Sequence, residues 1–249
     1  MAAVELEYDQ NVAIITLNSP ETRNALTPES SAVLNEMCDE IDARKDIGAA
    51  IVRGAGGTFC SGAARDVLAR AGEDPAEPDR YEALGSVYDA FVRVGNLQVP
   101  TIAAVRGASV GAGVNLLMAT DLRVVATNAR IISGFTRIGI HPGGGHLTLL
   151  NRLVGREAIA GMVLFGEEVS GERAVELGLA WEAVPDEQVE DRALELARIP
   201  AADPTLIRRT LSTMRAEVGP PGVTWQAGLA LERAAQMWSL RRKHVAPSG

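Results

Sequence analysis

The chain has 249 residues, room for one sizeable core or a core with a small appendage. Its formal net charge of −8 at pH 7 argues against nucleic acid as the main partner. No apolar run is as long as a membrane span, no secretion signal is read at Met1 to Glu5, and Cys38 and Cys60 have neither a disulfide framework nor a metal-ligand spacing, so a cytoplasmic address is expected.

Val12 to Leu17 predicts a strand, followed by the turn-rich loop Asn18 to Leu26. Thr27 is placed to cap a helix with Pro28 at its first position, and Val33, Leu34, Met37, Cys38 and Ile41 follow at helical spacing. Ala49 to Val52 predicts a second strand. Phe59 to Ala64 is a small-residue turn feeding a short helix through Val67 and Leu68. Gly72 to Arg80 is polar and contains Pro, the pattern of a loop; Tyr81 to Val94 resumes helical spacing.

Val99 to Arg123 is the centre of the pattern: a buried strand over Thr101 to Val105, a turn of small residues over Gly107 to Gly113, then an apolar helical run stopped before Asp121. Such a junction exposes backbone N–H groups without intrahelical partners, and small residues let a ligand approach them. The turn is not a Walker loop, lacking Gly-Lys-Ser/Thr, nor a dinucleotide fingerprint, lacking the third spaced Gly. Leu122 to Ala126 and Arg130 to Ile132 predict strands, and Ile138 to His146 is a third Gly-rich turn into a helix. Gly155 to Phe165 continues helically, Ser170 is placed to cap Gly171 to Leu177, and Ala180 to Val184 predicts a short strand. From Glu187 onward the pattern is helical: Val189 to Arg198, Pro204 to Glu217, and Val223 to Arg242 with Trp225, Leu229, Met237 and Trp238 as a packing or subunit face. Alternating strands and helices followed by helices alone predict an α/β core over 1–186 and a helical C-terminal subdomain over 187–249.

Several fragments belong together: Leu17-Asn18-Ser19-Pro20, Arg23-Asn24-Ala25-Leu26, Phe59-Cys60-Ser61-Gly62-Ala63, Ala104-Val105-Arg106-Gly107 through Gly111-Ala112-Gly113 to Asp121-Leu122-Arg123, and Gly139 to Gly145. In their order and spacing the chain resembles the crotonase superfamily, the enoyl-CoA hydratase/isomerase group. The resemblance implies a ClpP/crotonase-like spiral of ββα units with a helical C-terminal trimerisation region, assembly as trimers or dimers of trimers, and acyl-CoA thioester substrates in fatty-acid metabolism. It implies an oxyanion hole from the N–H groups of Ala63 and Ala112, the latter following Gly111. Coenzyme A enters as part of the substrate, and no metal or redox cofactor is implied. Ala25 and the segment Ala63-Ala64-Arg65-Asp66 resemble CoA-contacting positions, with Arg23 or Arg65 either meeting a phosphate or standing solvated.

The same resemblance exposes departures. The positions of the hydratase glutamates hold Asn115 and Phe135, and a third acidic position seen in relatives holds Gly143. Asn and Phe do not exchange protons at neutral pH. Candidate replacements are His146 and His141, which flank the third turn; the alternative is that His146 only opens its helix and His141 packs or faces solvent. Asn115 is placed to orient a water or a polar substrate group, and Arg137 to meet a substrate carboxylate. Two readings follow: an enolate-stabilising acyl-CoA enzyme, or an acyl-CoA-binding sensor or carrier without turnover.

Overall fold

The apolar runs form the spine of a six-stranded sheet in the computed structural model, which describes residues 2–73 and 77–219 together with Gly222 and Ala227. β1 (Val4–Asp9) pairs antiparallel with β2 (Val12–Leu17), and β3 (Ala49–Gly54), β4 (Thr101–Val105), β6 (Leu122–Ala126) and β9 (Glu182–Val184) add in parallel, giving the order β1-β2-β3-β4-β6-β9. Parallel strands covered on both faces read as continuous apolar runs rather than alternating ones; every residue of β4 is buried. A second sheet has three strands: β5 (Ala108–Val110) runs parallel to β7 (Arg130–Ile132), which pairs antiparallel with β8 (Glu168–Ser170).

Three strands escape the sequence reading. β1 alternates Val4, Leu6 and Tyr8 with Glu5, Glu7 and Asp9, the pattern of a half-covered edge. β5 lies inside the expected small-residue turn, and β8 is too short for periodicity to mark.

Thr27 caps α1 (Pro28–Ala43) in a reciprocal arrangement with Ser30. α2 (Arg65–Glu73) and α3 (Pro78–Gly95) extend into both ends of the stretch read as the loop Gly72 to Arg80, because Pro78 presets the first turn of α3. α4 (Ala112–Ala119) is buried from Ala112 to Met118 and packs against α3 and α5 (His146–Leu153). α6 (Arg156–Ile159) passes into a π turn over Ala160–Leu164. Ser170 caps α7 (Gly171–Glu176), its Oγ accepting from the Arg173 N–H at 3.1 Å.

α8 (Val189–Ala201) lies across β3, β4 and β6 with Val189, Ala193 and Ala197 fully buried, and α9 (Pro204–Val218) follows. The start of α8 is tied to the sheet by charge: Arg53 meets Glu190 at 2.7 Å and Glu7 at 2.5 Å, and Arg106 meets Asp186 at 2.5 Å and Glu190 at 3.3 Å. The helix expected over Val223 to Arg242 lies outside the described residues apart from Ala227. No helix among the described residues is long and apolar enough to cross a membrane.

Candidate active site

After β3 the chain runs through Phe59 to Ala64 into α2; after β4 it runs through β5 and Gly111 into α4. The two runs lie side by side, the Cys60 N–H donating to the Ala108 carbonyl at 3.2 Å and the Val110 N–H to the Cys60 carbonyl at 2.9 Å. The first run is also stitched to the loop before α1. The Ser61 N–H donates to the Arg23 carbonyl (2.9 Å), the Leu26 N–H to the Gly62 carbonyl (2.8 Å) and the Ala64 N–H to the Leu26 carbonyl (2.8 Å). Buried Asn24 pins that loop: its Nδ2 donates to the carbonyls of Ala55 (2.9 Å) and Thr58 (2.7 Å), and its Oδ1 accepts from the Ser19 N–H at 2.9 Å.

Small residues allow this closeness. A methyl group at Gly62 would lie 2.6 Å from the Val110 carbonyl oxygen and 3.4 Å from the Ala112 nitrogen, and one at Gly113 would collide with the Cys60 carbonyl. Gly62 and Gly111 turn at φ +94° and +53°, conformations that L side chains rarely adopt. Since the Gly62 carbonyl and the Ala64 N–H both face Leu26, the intervening Ala63 N–H faces away from that loop. Ala112 is the first residue of α4, so its N–H has no acceptor within the helix. Ala63 and Ala112 both line one cleft of 460 Å³.

Arg65, Tyr88, Asn115, Ser133, Phe135 and His141 also line this cleft, with apolar walls from Leu68, Leu84, Val110, Ile138 and Ile140. Among the described residues no Asp or Glu lines it. Asn115 and Phe135, which stand at the glutamate positions of the resemblance, therefore face the cleft with no described carboxylate beside them. Gly111, read as a binding residue, is in the wall as well.

His146 is buried behind the wall, 1 % exposed, and engaged at both ring nitrogens. Nδ1 lies 2.6 Å from Asn115 Oδ1, and Nε2 lies 2.8 Å from Ser133 Oγ. Asn115 Nδ2 donates to the Gly143 carbonyl at 3.0 Å and the Gly144 carbonyl at 3.5 Å. Those two carbonyls accept only, so they fix the amide with its nitrogen toward them and its oxygen toward His146. Nδ1 then carries the ring proton, Nε2 is left with its lone pair, and the Ser133 hydroxyl donates to it. Desolvation pushes the imidazole pKa down to about 4, so the ring is neutral at pH 7. The Phe135 ring stands edge-on to it with centroids 4.9 Å apart.

His141 occupies the exposed part of the cleft wall. Its Nδ1 donates to the Pro142 carbonyl at 2.7 Å, leaving Nε2 as the nitrogen available to a ligand. The other sequence candidates spread out. Arg23 is exposed in the loop before α1, Ala25 is half-buried there, and Ala64 is buried with its N–H spent on Leu26. Asp66 lies outside the cleft beside Arg70 on α2. Arg137 is absent from the cleft lining, its stem lying 3.3 Å from where a methyl at Gly166 would be; the short 3₁₀ turn Thr136–Ile138 puts Ile138, not Arg137, on the wall. Cys60 is fully buried and burial pushes its thiol up to about 12, which suits packing rather than nucleophilic work.

Sequence reasoning missed Ser133 and Tyr88. Ser133 follows β7 with no motif around it, and its partner lies thirteen residues on, at the start of α5. Tyr88 was read only as an apolar position of α3.

The family model for enoyl-CoA hydratase/isomerase matches residues 7–236. The chain is 43 % identical over 218 residues to the probable enoyl-CoA hydratase EchA14 of Mycobacterium tuberculosis, covering 87 % of this chain and 83 % of that protein. It is 34 % identical over 200 residues to the 1,2-epoxyphenylacetyl-CoA isomerase of Escherichia coli, covering 79 % and 75 %. The crystal structure of an enoyl-CoA hydratase from Polaromonas sp. JS666 superposes with a TM-score of 0.87 at 27 % identity, over 96 % of this chain and 92 % of that one. The α/β architecture described above, with its C-terminal helices, is the fold that this likeness shows.

Proposed function

The chain belongs to the enoyl-CoA hydratase/isomerase family, and from that premise we propose that its cleft takes an acyl-CoA thioester and acts on it through an enolate. The observation that supports this reading is the locking of two turns whose residues Ala63 and Ala112 both line one cleft. A thioester carbonyl oxygen held between them gains charge as the Cα proton leaves. Preorganised donors of this kind each contribute roughly 3 kcal/mol to such a transition state. The rigidity of the turns matters here, because donors already in place need no reorganisation as charge develops.

The proton goes to an imidazole. His141 presents Nε2 at the cleft and takes it directly; His146 exchanges protons only through the Ser133 hydroxyl. Arg65, exposed on the wall, meets a phosphate of coenzyme A. The relatives' names span hydration and isomerisation, and the absence of a lining carboxylate among the described residues favours double-bond migration or Cα exchange over water addition. In this scheme coenzyme A is part of the substrate and neither metal nor redox group takes part. The protein works as a homotrimer or dimer of trimers in the cytoplasm; exposed Leu164, Phe165, Trp181 and Ile199 supply apolar area that assembly would cover.

The test is mass spectrometry of enoyl- and acyl-CoA thioesters incubated with the protein in heavy water. Deuterium at Cα, with or without a shifted double bond, is the expected result, and His141→Ala lowers it at least tenfold. The missing carboxylates give substance to one rival, a protein that binds acyl-CoA without turnover. Thioesters that bind yet gain neither deuterium nor water would establish that rival and overturn the enzyme reading.

A further inference from the structure

Ser133, His146 and Asn115 come from the end of a strand, the start of a helix and the inside of another, yet they form one directed chain of hydrogen bonds. Ser133 Oγ donates to His146 Nε2 at 2.8 Å, and His146 Nδ1 donates to Asn115 Oδ1 at 2.6 Å. The direction of the second bond is set from behind, since the Gly143 and Gly144 carbonyls hold the Asn115 amide nitrogen. A hydroxyl backed by an imidazole whose tautomer a third group fixes is the arrangement that activates a serine.

Its surroundings complete the pattern. Ser133 lines the cleft together with Ala63 and Ala112, whereas His146 does not line it. The residue before Ser133 accepts the Gly111 N–H at 3.0 Å, which fastens Ser133 beside the turn that carries the Ala112 donor. Phe135 packs against the imidazole with centroids 4.9 Å apart and lines the cleft where His146 does not, so the base meets the cleft through the serine oxygen. With His141 as the base, the double-bond chemistry proposed above leaves this serine unused.

We propose that Ser133 is a nucleophile and that the cleft also cleaves acyl-CoA thioesters, passing the acyl group through Ser133, with His146 as base and Asn115 as a positioning residue. This rests on the acyl-CoA reading for its substrate and on the hydrogen-bond chain for its chemistry. Ser133 Oγ bonds to the thioester carbonyl carbon as its proton passes to His146 Nε2, and the carbonyl electron pair moves onto the oxygen between Ala63 and Ala112. The pair returns, the C–S bond breaks, and the Nε2 proton goes to the departing sulfur as coenzyme A thiol. Water then bonds to the ester carbon and gives a proton to Nε2. The ester C–O bond breaks, Ser133 recovers its proton, and a carboxylic acid leaves. The net reaction is thioester plus water to acid plus thiol. An oxygen ester is a poorer acyl donor than a thioester and its alkoxide a poorer leaving group than a thiolate, so deacylation is slower than acylation and the acyl-enzyme accumulates.

Two measurements at pH 8 separate this proposal from the reading it rests on. The first treats the protein with a small alkyl fluorophosphonate and maps the adduct by peptide mass. The expected adduct is on Ser133. It is lost in Ser133→Ala, falls at least tenfold in His146→Gln and Asn115→Leu, and persists in Asn115→Asp, which keeps an acceptor at Nδ1. The second incubates the protein with acetyl-, butyryl- and octanoyl-CoA, measures binding by calorimetry and free coenzyme A by chromatography, and weighs the quenched chain. Free coenzyme A at least tenfold above the buffer rate, with an acyl increment on the Ser133 peptide, is expected, and both vanish in Ser133→Ala. Thioester binding with Ser133 unlabelled, or coenzyme A release unchanged in Ser133→Ala, overturns the nucleophile. Labelled Ser133 with no thioester bound overturns the acyl-CoA reading, and thioesterase action with it, while the activated serine stands.

Discussion

Two polar regions of this protein are built from opposite materials. Where α8 begins, guanidinium and carboxylate groups gather: Arg53 and Arg106 with Glu7, Asp186 and Glu190. Behind the cleft wall, Ser133, His146, Asn115 and two glycine carbonyls pass hydrogen bonds along with no charged member at pH 7. Exposure separates the two. The side chains of the first cluster are 28–57 % exposed, so water shares the cost of each charge; Asn115, Ser133 and His146 are 1–2 % exposed. A charge in the second setting would cost several kcal/mol of lost hydration, whereas a neutral, fully partnered network avoids that cost. The ion pairs fasten a helix. The neutral chain fixes which atom holds each proton.

The largest effect should come from prying the cleft apart while leaving the ion pairs alone. Gly113→Ala drives a methyl into the Cys60 carbonyl and should cost about 3 kcal/mol, read as a lower urea midpoint. An unchanged midpoint would mean that the two turns separate freely, which the oxyanion reading does not survive.

Charging the neutral region by acid comes next. The His146 pKa falls from an ordinary 6.5 to about 4 in the fold, through desolvation, and its contacts with Ser133, Asn115 and Phe135 bring no charge to it. The unfolded chain therefore binds the proton first. This contribution to stability is fully present above pH 6.5 and is lost as pH falls toward 4, by on the order of 3 kcal/mol. His146→Gln should show a shallower decline than the native chain over that window; parallel declines would remove His146 as the cause.

A smaller effect follows from moving a carboxylate into the cleft. Asn115→Asp replaces a donor to the Gly143 and Gly144 carbonyls by an acceptor and should cost about 2 kcal/mol at neutral pH. It should also raise the His146 pKa, seen by NMR titration of the imidazole, because a carboxylate favours the imidazolium. The smallest change is expected at the other region. Arg53→Met removes contacts to Glu7 and Glu190 yet should cost less than about 1 kcal/mol, a cost that shrinks as salt is added.

What the sequence made readable divides along the same line. Turns written in glycine and alanine announce themselves, because small residues punctuate a chain wherever backbone must approach backbone. The runs around Gly62 and Gly111 were visible for that reason, and the family resemblance carried onto them pointed to Ala63 and Ala112. The three core strands β2, β3 and β4 were visible as unbroken apolar runs. The Ser133–His146–Asn115 chain was not, because its members share no spacing and each fits a local explanation: strand end, helix start, helix interior. His146 was singled out as a proton carrier facing the pocket, yet it stands behind the pocket and acts on Ser133. Arg137 and Asp66 are sequence neighbours of the cleft-lining Ile138 and Arg65 yet stand outside the lining, since a 3₁₀ turn and the first turn of α2 each rotate neighbours through about 100–120° per residue. Asn24 looked like one more turn residue and is the pin that holds the first loop to the oxyanion turn.

The Asn115 amide is committed at both ends, and this has a consequence for anyone redesigning the protein. Installing the two glutamates of a hydratase at 115 and 135 reads as a double substitution. A glutamate at 115 removes the donor that the glycine carbonyls use and sets its charge against the imidazole, drawing a proton onto a ring that the native site keeps neutral. The change is therefore not separable from position 146, and the shortest workable path is a triple exchange in which His146 gives way to a small residue. Intermediates along any stepwise path lose stability before they gain activity, so libraries that vary one site at a time will miss it.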